Sequence, residues 1–161
     1  MTRLLAILLL ATGFMLVACG AARNADKASA RTEDAAVEDE YANFFVDFMR
    51  TDKLGEALSR AEAEDKLVFI DFYTSWCTPC KLMDEDVFTD RHFGDYMNAN
   101  FVSIKVNAET GNGPNLAALY GVQAYPTLVF VDTNGRTLEK KEGAAYQTEL
   151  RRLGDAALAA R

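Results

Sequence analysis

Histidine is almost absent from this chain: His92 is the only one in 161 residues. No Ser/His/Asp arrangement can be assembled around it, so hydrolysis by such a triad has no support in the sequence. Cysteine is nearly as scarce, with three in all, Cys19, Cys77 and Cys80. A structural zinc site takes four ligands, and one C-x-x-C with a single histidine falls short of that. His92 is expected on a solvated helix face. There is no internal repeat and no glycine-rich phosphate loop. The 17 Lys and Arg are outnumbered by 24 Asp and Glu, a net charge of -7, which argues against nucleic acid as a partner. The longest apolar run, residues 4–19, is too short to span a bilayer comfortably. What remains is a half-apolar chain with room for one domain and its core, but not for two.

The start of the chain reads as an address. Thr2 and Arg3 precede Leu4 to Leu10, and the apolar stretch closes on Leu16-Val17-Ala18-Cys19, the length and polarity of a signal peptide. Those last four residues resemble the bacterial lipobox. The resemblance implies cleavage after residue 18 and a diacylglyceryl group on Cys19, so residues 1–18 are expected to be removed and the chain exported and tethered. Several acyl chains hold firmly because each buried CH2 contributes ~0.8 kcal/mol. The alternative is an ordinary secretory signal cut near Ala18 or Ala22, leaving Cys19 as an incidental thiol. The tether faces the periplasm, and the choice of inner or outer membrane stays open. Residues 19–43 are rich in Ala and charge and too poor in large apolar groups to fold alone, which suits a mobile spacer.

The compact part is expected over 44–161. Phe44 to Met49 reads as an entry strand, and Leu54, Ala57, Leu58 and Ala61 recur at helical spacing with Thr51 or Asp52 as N-cap. Leu67 to Tyr73 is nearly continuous apolar sequence, as in a strand covered on both faces, interrupted by Asp71. A buried carboxylate there should be harder to ionise and could sit behind the cysteines; the plainer alternative is a wet strand end. Trp76-Cys77-Thr78-Pro79-Cys80 follows where strand should turn into helix. At that turn, unpaired N–H groups and the helix dipole favour thiolate, which makes Cys77 the nucleophile and Cys80, one turn deeper, the resolving thiol. Pro79 is tolerated in a first turn. The helix continues with Leu82, Met83 and Val87 inward and Asp84, Glu85 and Asp86 mostly outward.

Phe72-Tyr73-Thr74-Ser75-Trp76-Cys77-Thr78-Pro79-Cys80-Lys81 resembles the thioredoxin active site, and the stretch from Glu85 to Asp90 is similar to exported members such as the DsbD C-terminal domain. The resemblance implies an α/β thioredoxin fold, a central mixed β-sheet flanked by helices. It makes Asp71 the buried aspartate, Lys105 the lysine near it and Pro126 a cis-proline facing the dithiol, with Trp76 and Tyr125 on the substrate side. Without it, Lys105 is as readily an edge-strand surface lysine, and Pro126 a trans proline starting a strand. Thr-Pro replaces the usual Gly-Pro between the cysteines, a departure that bears on redox potential.

Further on, Thr89 or Asp90 can cap a helix carrying Phe93, Tyr96 and Met97, and Phe101 to Val106 reads as a strand. A polar loop over residues 107–115 leads to a short helix from Leu116 to Gly121 and a strand from Leu128 to Val131. Asp132-Thr133-Asn134-Gly135 is a hairpin turn, and Leu150, Leu153, Ala157 and Leu158 mark a closing helix. The function expected is reduction of disulfides in exported proteins, with no cofactor or metal. The absence of a histidine between the cysteines favours that direction, and a membrane electron carrier of the DsbD or CcdA type would recharge the dithiol. The other expectations are a disulfide oxidase or isomerase, including a cytochrome c maturation factor, and a binding module with an inert disulfide.

Overall fold

The structure, a computed structural model, describes residues 44–161. The signal peptide of residues 1–18, Cys19 and the spacer to residue 43 lie outside the described residues. Strand β2 (Leu67–Tyr73) forms the centre because nearly every side chain along it is buried, as its apolar run requires. It pairs in parallel with β3 (Phe101–Asn107), and β3 pairs in parallel with β1 (Phe48–Met49). On the other side β4 (Thr127–Val131) runs antiparallel to β2, and β5 (Thr137–Glu142) antiparallel to β4. The five-stranded order is β1-β3-β2-β4-β5, so the expected central mixed sheet flanked by helices is present.

The two-residue side-chain period of the strands sorts the core into two layers. Leu67 and Phe69 of β2, Phe101 of β3, and Leu128 and Phe130 of β4 face three helices, α2 (Thr78–Asp86), α3 (Arg91–Asn100) and α5 (Gln147–Ala159). These contribute Met83, Phe93, Met97, Leu150 and Leu153. Val68, Ile70 and Phe72 face the opposite way, with Val102, Ile104 and Val129, onto α1 (Leu54–Ala63) and α4 (Gly113–Leu119). Ala57 and Ala61 let α1 lie close against the sheet. Continuing the first alternation one step from Phe69 and two from Phe101 puts Asp71 and Lys105 on the α2 side, and they are direct register partners.

Several boundaries differ from expectation. Only Phe48 and Met49 of the entry segment pair as strand; ahead of them the Phe45 and Val46 amides both donate to the Phe88 carbonyl. Lys53 rather than Thr51 or Asp52 is the N-cap of α1. Asp52 instead accepts from the Asn112 amide at 2.6 Å, and the Thr51 hydroxyl donates to Glu56 at 2.8 Å. Helix α4 begins at Gly113, earlier than the polar loop suggested, with Pro114 in its first turn. Asp90, one of the two candidates, caps α3 through the Phe93 amide at 2.7 Å. The hairpin turn closes by the Gly135 amide donating to the Asp132 carbonyl at 2.9 Å, with Gly135 at φ +79.

Candidate functional site

Cys77 is the N-cap of α2, held there because its own amide donates to the Thr74 carbonyl at 3.1 Å while its carbonyl accepts from Lys81 at 3.2 Å. Its Sγ accepts the Cys80 N–H at 3.2 Å, so a first-turn amide without a helical acceptor is spent on sulfur. Cys77 and Cys80 form a disulfide with Cα atoms 5.3 Å apart, and both residues are buried. Pro79 lies in the first turn of α2 between them. When the bond opens, the amide and the helix dipole favour negative charge on the Cys77 sulfur over any other sulfur in the turn.

Trp76 covers this turn and is 64% exposed. Its Nε1 donates to both carboxylate oxygens of Glu109 at 3.1 Å, and its ring meets Tyr125 edge-on at 6.0 Å between centroids. The Tyr125–Pro126 peptide bond is cis. The Pro126 carbonyl accepts from Gly143, and the Thr127 hydroxyl donates to the Ala124 carbonyl, fixing the loop that carries Tyr125 beside Trp76. Leu82, expected inward, is half exposed: with Pro79, Ala144 and Tyr146 it borders a shallow apolar hollow of 60 Å3. The inward positions here are already filled by Met83 of α2 and by Val87, its C-cap.

Beneath the dithiol helix lies a set of buried charges. The Lys105 Nζ donates to Asp71 Oδ2 at 2.9 Å and to Asp84 Oδ1 at 2.5 Å. The Lys105 side chain is 1% exposed, Asp71 2% and Asp84 24%, so only Asp84 reaches solvent. Burial alone would drive Lys105 toward its neutral form, but the Asp71 and Asp84 carboxylates outweigh it and hold the ammonium above the ordinary lysine value. Four rings, Phe44, Phe48, Tyr73 and Phe88, stand 4.8–5.6 Å from Nζ and close the remaining sides. Asp71 Oδ1 and the Thr74 hydroxyl are buried with no hydrogen-bond partner among the described residues.

A polar cleft of 310 Å3 reaches Cys80 from the flank, lined by Tyr73, Thr74, Ser75, Cys80, Lys81, Asp84 and Asn107. The structure thus brings Cys77, Cys80, Trp76, Tyr125 and Pro126 to one end of the sheet, and joins Asp71 to Lys105 behind them. His92 is exposed on α3, as expected. Sequence reasoning missed Asp84 and Glu109. Asp84 was expected to face outward, yet it lies one helical turn after Cys80 and so shares its side of α2. Among the described residues no group of His, Cys, Asp and Glu could hold a metal ion. None of the described helices is long and apolar enough to cross a membrane.

The family model described as Thioredoxin-like domain matches residues 54–158. Thioredoxin-T of Drosophila melanogaster is 39% identical over 77 residues, which are 48% of this chain and 45% of that protein. The thiol:disulfide interchange protein DsbD of Salmonella typhi is 31% identical over 94 residues, 57% of this chain but only 16% of DsbD. This chain therefore spans less than half the length of either relative. Among solved structures, that of a proposed disulphide-isomerase from Bacteroides thetaiotaomicron superposes with a TM-score of 0.63 at 40% identity, covering 72% of this chain and 95% of that one.

Proposed function

Because the chain belongs to the thioredoxin-like family, we propose that its Cys77–Cys80 dithiol reduces disulfides of exported proteins while a lipid on Cys19 holds the domain at a bacterial membrane. The observation that carries the chemistry is the Cys80 N–H on Cys77 Sγ at the start of α2. The Cys77 thiolate attacks one sulfur of a substrate disulfide, and the other substrate sulfur leaves with the electron pair and takes up a proton. The Cys80 sulfur, having lost its proton, then attacks Cys77 Sγ. The mixed disulfide breaks, the second substrate thiolate leaves, and the protein is left oxidised as found here. Two electrons pass from the dithiol to the substrate.

Trp76, Tyr125 and Pro126 border the substrate, and an extended segment of it can lie against the loop carrying the cis bond. Asp71 and Lys105 set the charge behind the cysteines. The similarity to DsbD supports an exported setting and a membrane electron carrier of the DsbD or CcdA type that returns the dithiol to its reduced form. Pro79 and the lack of a histidine between the cysteines support the reducing direction. The name of the Bacteroides structure is a reason to test the opposite one, oxidation or isomerisation.

The test is the reduction potential of residues 44–161, equilibrated against glutathione. Dithiol proteins of this chemistry run from about -270 mV to about -120 mV, a span worth ~7 kcal/mol of disulfide stability. A value near the lower end is expected; one near the upper end would make the protein an oxidant. In an insulin-reduction assay the wild type is expected to be active and Cys77→Ser inactive. An inactive wild type whose reduced cysteines resist alkylation would instead indicate an inert disulfide in a binding module.

A further inference from the structure

We infer that Asp52, ahead of α1, is a positioning residue for the dithiol site: it anchors the loop of residues 109–112, whose Glu109 holds Trp76 beside Cys77. The inference rests on the dithiol reading above and adds to it a residue that sets how firmly substrate is held. Trp76 is 64% exposed, and its ring meets Tyr125 only edge-on, so packing leaves the indole loosely fixed. The bonds from its Nε1 to both Glu109 oxygens, each 3.1 Å, set its orientation. Whatever fixes Glu109 therefore fixes Trp76.

The loop is a pair of tight turns that share Thr110. The Asn107 carbonyl accepts from the Thr110 amide at 3.3 Å, and the Thr110 carbonyl accepts from the Gly113 amide at 2.9 Å. The Asn107 side-chain oxygen accepts from the Glu109 amide at 3.0 Å. One end of the loop is tied to β2, where the Ala108 amide donates to the Tyr73 carbonyl at 2.9 Å. The other end is tied to Asp52. Its Oδ2 accepts from the Asn112 amide at 2.6 Å, and the Asn112 side-chain amide donates to the Asp52 carbonyl at 3.2 Å. Gly111, at φ +56, lies against the same carboxylate, and a Cβ there would run into Asp52 Oδ2. Asp52 is a firm support because the chain around it is held at both sides. The preceding Thr51 amide donates to the Met49 carbonyl of β1 at 3.0 Å, and the following Lys53 is the N-cap of α1. Glu109, Thr110 and Gly111 are exposed, so hydrogen bonds rather than burial keep these turns in shape. A bond to a carboxylate is roughly twice as strong as a neutral one. Removing it frees the second turn, and Glu109 and Trp76 gain motion together.

The test uses the full chain and the fluorescence of Trp76, its one tryptophan. Asp52→Ala is expected to lower the anisotropy, as Glu109→Ala does. It should also raise the Michaelis constant for insulin at least about threefold while turnover stays within about twofold. Because Asp52 acts through Glu109, the variant carrying both substitutions should match Glu109→Ala alone in both readouts. Asp52→Asn keeps an acceptor oxygen and should lie nearer the wild type than Asp52→Ala. Thr51→Ala removes a neighbouring bond, from the Thr51 hydroxyl to Glu56 at 2.8 Å, without touching the loop, and should leave both readouts at wild-type values. An unchanged anisotropy in Asp52→Ala, effects that multiply when both substitutions are present, or an equal effect of Thr51→Ala overturns the assignment. A wild type inactive on insulin overturns the dithiol reading instead, and the anisotropy still decides whether Asp52 holds Trp76.

Discussion

Replacing Lys105 by Met isolates what the buried ammonium does. The side chain is 1% exposed and bonded to two carboxylates, of which Asp71 is itself only 2% exposed. Methionine keeps most of the stem among Phe44, Phe48, Tyr73 and Phe88 and removes the charge. Asp84 is the more exposed of the two carboxylates, so the cost falls chiefly on Asp71, left without its counter-charge. Breaking a buried pair from one side typically costs ~3–5 kcal/mol, a large fraction of the ~5–15 kcal/mol that holds a domain together. The pH dependence adds a second signature. Lys105 has a raised folded value, so the stability it contributes is fully present below the ordinary lysine value of about 10.4 and is lost only as pH rises through the folded value. Between pH 5 and pH 9 it therefore adds no slope in the wild type. In Lys105→Met the loss of stability that the wild type shows above the ordinary lysine value should be absent. Urea unfolding of residues 44–161 in the oxidised state, followed by circular dichroism from neutral to alkaline pH, measures both. A loss below about 1 kcal/mol at pH 7 would refute the reasoning, because an uncompensated buried carboxylate cannot be that cheap.

Cys80→Ser, offered insulin or a small model disulfide, should accumulate the mixed disulfide at Cys77 with release of one substrate thiol, visible on a non-reducing gel and dissolved by dithiothreitol, since the step that clears Cys77 is gone. In the reduced wild type, iodoacetamide should label Cys77 well before Cys80, read by peptide mass mapping; equal labelling would contradict the N-cap argument. Gly154→Ala brings a Cβ to 2.6 Å from the Tyr96 hydroxyl and 3.1 Å from the Phe101 ring. It should cost ~1–3 kcal/mol by thermal or urea unfolding and leave the reduction potential unchanged. Glu109→Ala removes the acceptor that pins Trp76; the single tryptophan should then show lower fluorescence anisotropy, and the Michaelis constant for insulin should rise more than turnover falls.

Much of this could be read from the residues. β2 was legible because an unbroken apolar run of that length has few other fates, and the cysteine turn because two thiols and a proline at a strand-to-helix junction satisfy the first helical turn so directly. The Asp71–Lys105 contact came from the family resemblance, yet it follows from physics once the register is known, because both residues lie on the α2 face at paired positions. The register was what the sequence lacked. Asp84 was misjudged because three consecutive acids in a helix read as a solvated face, whereas a buried cation contributed by a distant strand draws one of them in. β1 was overestimated for a related reason: Phe44 and Phe45 look like strand, but the carbonyl that receives the local amides belongs to Phe88, after the dithiol helix.

The two rims of the sheet carry a consequence for how such domains behave when concentrated. One rim is β1, only two residues long, and the other is β5, whose sequence Thr137-Leu138-Glu139-Lys140-Lys141-Glu142 packs four charges into six positions. A neighbour's strand finds too short a template on one side and an array of charges on the other. At high concentration copies of the domain can therefore collide without zipping their described sheets into a common ladder, and the cysteine end of each stays open.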